Sequence, residues 1–78
     1  MAKWVCITEQ GWIPYSDDDN GKIEAALNSG AQHIDLSFNS NSYRIDFATM
    51  NQINQSTMIS RNVQRISSAA SEAVLLVL

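Results

Sequence analysis

The chain has little of several things that other protein classes depend on. It holds one cysteine, Cys6, so no disulfide can close within it. Small domains of oxidising compartments usually carry several, and an intracellular setting, nuclear or cytoplasmic, is the expectation. The longest apolar run, residues 73–78, falls far short of the roughly 20 residues that cross a bilayer, and no membrane partner is expected. Met1-Ala2-Lys3-Trp4 places no apolar stretch behind a basic cluster, which reads as the absence of a signal peptide. Lys and Arg number 5 against 8 Asp and Glu. That balance argues against a sequence-specific nucleic-acid binder, whose phosphate contacts normally leave a basic excess. One His and one Cys, far apart in sequence, support neither a metal site nor a Cys-His nucleophile. No glycine-rich phosphate loop, Ser-His-Asp order or carboxylate pair stands out, so no catalysis is expected and no cofactor is implied.

What is there suffices for one small folded domain. Of 78 residues, 45% are hydrophobic, which separates the chain from disordered sequences that cannot bury enough apolar area to offset ordering entropy. Charge is unevenly spread. Residues 1–42 set Lys3 and Lys22 against Glu9, Asp17, Asp18, Asp19, Glu24 and Asp35, whereas residues 43–78 set Arg44, Arg61 and Arg65 against Asp46 and Glu72. The basic side of the molecule lies in the second half.

Trp4 to Ile7 and Trp12 to Tyr15 are aromatic and β-branched and flank a turn at Gly11, which predicts two short strands. Pro14 lacks a ladder donor and places the second at a sheet edge or at its own end. Ser16-Asp17-Asp18-Asp19-Asn20 is a run of capping residues, without the spaced ligands of a calcium loop. Behind it Ile23, Ala26 and Leu27 recur at helical spacing before Gly30, predicting one helix over about 19–29. From residue 32 the period becomes two. Ile34, Leu36 and Phe38, a turn at Asn39 to Ser42, then Tyr43, Ile45 and Phe47 predict a hairpin, and His33 faces solvent. Further strands are expected near 50–54 and 61–66. Periodicity therefore predicts an α+β fold, a curved antiparallel sheet of about six short strands packed on one helix. The domain is expected over residues 1–66. Residues 67–78 read equally as a docked helix, an added strand or the stump of a longer protein.

Three polar side chains fall on apolar faces of this alternation. Tyr43 shares its face with Ile45 and Phe47, Gln52 with Met50, and Arg61 with Val63. An inward guanidinium needs an anion or several acceptors, because an unpaired buried charge costs several kcal/mol. Glu24 is in reach as one partner. One reading is a pocket with an Arg fork for phosphate, an amide for a base or sugar, and a phenol. The other is a rim hydroxyl, a backbone-bonded amide and a snorkelling Arg.

The ordered set Trp4, Gly11-Trp12, Tyr15, Ile23-Glu24, Ala26, Tyr43, Asp46, Met50-x-Gln52 and Arg61-x-Val63-x-Arg65 resembles the WWE domain family, named for two Trp and one Glu. The likeness covers about residues 3–66. It implies a half-barrel against one helix, structural roles for Trp4, Trp12 and Glu24, and Glu24 hydrogen-bonding near the pocket. Tyr43, Gln52 and Arg61 match the positions with which family members bind iso-ADP-ribose, the unit of poly(ADP-ribose). Implied partners are poly(ADP-ribose), ADP-ribosylated proteins or a free adenine nucleotide. The implied setting is a ubiquitin ligase or an ADP-ribosyltransferase. Cys6 and Ile13 stand where tight-binding members often carry aromatic residues, which implies a weaker hold on adenine. Arg65 and Lys3 read as solvated charges or secondary phosphate contacts. The alternative is a protein-interaction or scaffold module that has lost nucleotide binding. Under the first reading, Ala at Arg61 or Gln52 removes binding and leaves thermal stability nearly unchanged.

Overall fold

A computed structural model of the chain describes residues 2–67. The first two strands, β1 (Ala2–Thr8) and β2 (Gly11–Pro14), turn through Gly11 at φ +100°, a conformation that residues with a Cβ seldom adopt. β2 ends at Pro14, one residue short of expectation, and the Tyr15 N–H instead donates to the Trp4 carbonyl at 3.2 Å. Helix α1 (Asp17–Asn28) starts two residues before the predicted 19, because the Ser16 Oγ accepts the Asp19 N–H and caps it. It ends through Gly30 at φ +84°. The Gly30 N–H reaches the Leu27 carbonyl and the Ala31 N–H the Ala26 carbonyl, closing the last turn.

The hairpin of β3 (His33–Phe38) and β4 (Asn41–Asp46) turns on two residues rather than the four expected. Asn39 and Ser40 both take positive φ, 52° and 63°, which matches the strand twist and lets pairing begin at Asn41. β5 (Asn51–Asn54) and β6 (Ser60–Ser67) complete an open antiparallel sheet in the order β2-β1-β6-β5-β4-β3, a half-barrel packed on α1. β6 runs to Ser67, the last described residue, and residues 68–78 of the expected tail lie outside the described residues.

Strand register decides which side chains meet. Trp4, Cys6, Leu36, Ile45 and Val63 line the concave face and close on Ile23 of α1, all buried. Glu24, one residue on, ties helix to sheet. It accepts the Trp4 Nε1–H at 2.8 Å and a two-pronged contact from Arg65, Nε to Oε1 at 2.6 Å and Nη2 to Oε2 at 3.0 Å. Arg65 is thus a paired rather than a free surface charge, and Glu24 reaches Arg65 rather than Arg61. The sheet places Arg65 beside Trp4 in register, further along β6 than Arg61 at the cleft.

Arg65, then the Trp4 donor, pull the Glu24 carboxyl from 4.5 to about 2. A folded-state pKa below that of the unfolded chain gives stability that is complete above about pH 5 and is lost as the pH falls toward 2. The melting temperature is accordingly expected to fall over that window. Glu24→Gln, which keeps an acceptor for the indole but cannot titrate, flattens the fall, as thermal melts followed by circular dichroism will read.

Candidate functional site

Helix α1 covers only part of the concave face, and the part left open is a cleft of about 420 Å³. Strand pairing sets which of its residues are neighbours. Ile34, Ile45, Gln52 and Arg61 form one straight row across β3, β4, β5 and β6, so Gln52 and Arg61 are direct cross-strand neighbours. Tyr43 pairs with Leu36 and Asn54 in the next row. All three residues singled out in the sequence line this one cleft.

Their environments differ. Gln52 is 8% exposed, and its Oε1 accepts the Tyr15 hydroxyl at 2.6 Å. Alanine there would leave a half-buried phenol without its acceptor, so Gln52 is expected to carry stability too, unlike the near-neutral substitution expected from sequence. The Arg61 side chain is 37% exposed, and its Nη2 lies 3.8 Å from the exposed carboxylate of Glu9 in the β1–β2 turn. The guanidinium therefore sits at the cleft with its charge only loosely compensated. Tyr43 stacks on Phe38, ring centroids 4.3 Å apart at 13°, and the Tyr15 ring meets Phe38 edge-on at 6.3 Å.

Phe38 and Tyr15 were not legible as site residues. Phe38 read as one more apolar position of an alternating strand, and Tyr15 as the last residue of β2. What brings them to the cleft is the two-residue turn after Phe38 and the break of β2 at Pro14. Cys6 and Ile13, where aromatic residues were missed in the sequence, also line the cleft, so Phe38 and Tyr43 supply the aromatic surface from the opposite wall. Burial pushes the Cys6 thiol up, partly offset by Tyr15 and by the charge of Arg61, and keeps it protonated. Burial likewise raises Tyr15, with the neighbouring Cys6 and the charge of Asp19 adding to the shift, and its hydroxyl remains a donor.

Glu24 is not among the residues at the cleft. Its carboxylate is taken up by Trp4 and Arg65, so the hydrogen bond implied near the pocket is absent. Among the described residues no group of three metal-ligating side chains gathers, and no helix is long and apolar enough to cross a membrane. The arrangement offers a cationic fork, an amide and an aromatic wall around an open space, which suits holding a ligand. The WWE domain family model matches residues 2–65, and with the helix-to-sheet tie through Trp4 and Glu24 in place, this chain belongs to the WWE domain family of interaction modules.

Proposed function

We propose that this domain binds the iso-ADP-ribose unit of poly(ADP-ribose), or a related adenine nucleotide, and so brings a ubiquitin ligase or an ADP-ribosyltransferase to modified proteins. One observation carries the reading: Arg61, Gln52 and Tyr43, from three different strands, converge on one cleft beside a stacked aromatic pair. The volume of about 420 Å³ lies within the range of small-ligand sites. Arg61 supplies a planar fork for phosphate oxygens, with Glu9 its exposed and easily displaced partner. Gln52 supplies a hydrogen bond to base or sugar, and the Phe38–Tyr43 wall supplies apolar area for adenine. The module acts inside the cell, nuclear or cytoplasmic, where the free thiol of Cys6 stays reduced.

A scaffold role without nucleotide binding draws support from the outer face of the sheet. Trp12 is 45% exposed there, and Ile66 is also exposed. Calorimetric titration with iso-ADP-ribose, ADP-ribose and ATP separates the two. Saturable binding strongest for iso-ADP-ribose is expected. Absence of binding by all three leaves only the scaffold reading.

A further inference from the structure

A half-buried phenol and a buried amide in contact each constrain what the other can do. The Tyr15 hydroxyl is held protonated, and its proton needs an acceptor. The Cys6 sulfur beside it is a weak acceptor, and its own thiol points to the Ile7 carbonyl at 3.6 Å. The strong acceptor within reach is Gln52 Oε1 at 2.6 Å. A primary amide has one oxygen and one NH2 group, so fixing the oxygen on Tyr15 fixes where the nitrogen lies. Among the described residues Gln52 Nε2 has no hydrogen-bond partner, and it is not sealed from solvent. Gln52 lines the cleft, which is therefore where that nitrogen finds its partner.

We propose that Tyr15 is a positioning residue that sets the hydrogen-bond polarity of the cleft, turning the Gln52 amide so that Nε2, and not Oε1, faces the ligand. This rests on the cleft being the ligand site described above. Next to Arg61, which only donates, Gln52 then adds further donors, and the cleft selects a ligand whose facing edge carries acceptors: ring nitrogens, ribose oxygens or phosphate oxygens. A donor-only edge at the same place meets Nε2–H with N–H and is rejected. Tyr15 and Gln52 stand 37 residues apart in sequence. Fold closure alone brings them together, which is why no motif announces the pair.

The test uses four versions of the chain: unaltered, Tyr15→Phe, Gln52→Ala and the double variant. Each is titrated calorimetrically with iso-ADP-ribose. Tyr15→Phe keeps the ring against Phe38 and removes only the hydroxyl. It is expected to lower affinity roughly tenfold, the size of one lost hydrogen bond, and to change by less than about twofold whatever residual affinity Arg61 and the aromatic wall leave once Gln52 is Ala. Equal losses on both backgrounds would make Tyr15 a packing residue and overturn the proposal. A second arm needs no ligand. The side-chain amide resonances of Gln52, read in a nitrogen–proton correlation spectrum, are expected to shift and draw together in Tyr15→Phe while the backbone amides of β5 stay in place. If the unaltered chain binds no iso-ADP-ribose, the functional reading falls by itself. The resonances then still decide the role of Tyr15: an unmoved Gln52 pair overturns it, and a moved pair upholds it.

Discussion

Arg61→Ala is expected to lower affinity for iso-ADP-ribose about 100-fold or more while shifting the melting temperature by only a few degrees. The two halves of that expectation have separate causes. A guanidinium facing two phosphate oxygens makes charge-assisted, two-pronged contacts in a partly enclosed cleft, and no neighbour replaces them. Among the described residues the next cation along β6 is Arg65, which is bound to Glu24. Within the fold itself, by contrast, the ionic partner of Arg61 among the described residues is the exposed Glu9 carboxylate at 3.8 Å. A pair of that kind contributes between zero and about 1 kcal/mol. Arg61→Lys is a sharper form of the same experiment, because it keeps the charge and loses the planar fork, and is expected to recover only part of the affinity. Calorimetry and a thermal melt on each variant read both halves. Unaltered affinity would remove Arg61 from the site, and a collapse in melting temperature would make it structural.

The second large effect separates the two tryptophans. Trp4 is 1% exposed, packs its ring 5.7 Å from that of Phe47 and donates to Glu24, whereas Trp12 is 45% exposed on the other face of the sheet. Truncating a buried aromatic costs about 3–5 kcal/mol, and a domain of this size holds on the order of 5 kcal/mol in total. Trp4→Ala is therefore expected to be largely unfolded at physiological temperature. Trp12→Ala is expected to lose about 1 kcal/mol or less, the range for a half-exposed side chain that keeps its backbone pairing with Ile7. Far-ultraviolet dichroism against temperature distinguishes them, and matching melting curves would refute the asymmetry.

What was legible in the sequence was whatever repeats locally. Period-two alternation gave β3 and β4, helical spacing gave α1, and the serine and glycine at its ends gave its limits to within two residues. The same alternation gave the inward facing of Tyr43, Gln52 and Arg61, since parity along a strand survives small errors at its ends. Pairings between distant segments were not legible. Glu24 read as a partner of Arg61, and only the β1–β6 register, which sets Arg65 opposite Trp4, gives it to Arg65 instead. Tyr15 and Phe38 belong to the cleft because separate hairpins place them there, and no periodicity within either segment carries that information. The stabilising share of Gln52 was missed for the same reason, because its partner, Tyr15, lies between β2 and α1, far from it in sequence.

The half-barrel stays open, with β2 and β3 as its outermost strands. Each of those rims presents unsatisfied main-chain groups that another copy can extend, strand upon strand, into a growing ribbon. One rim is only four residues long and stops at Pro14, too brief for a lasting register. The other carries the outward polar residues His33, Asp35 and Ser37, the last two exposed alongside the first. Both margins of the sheet thus carry features that discourage strand-on-strand growth.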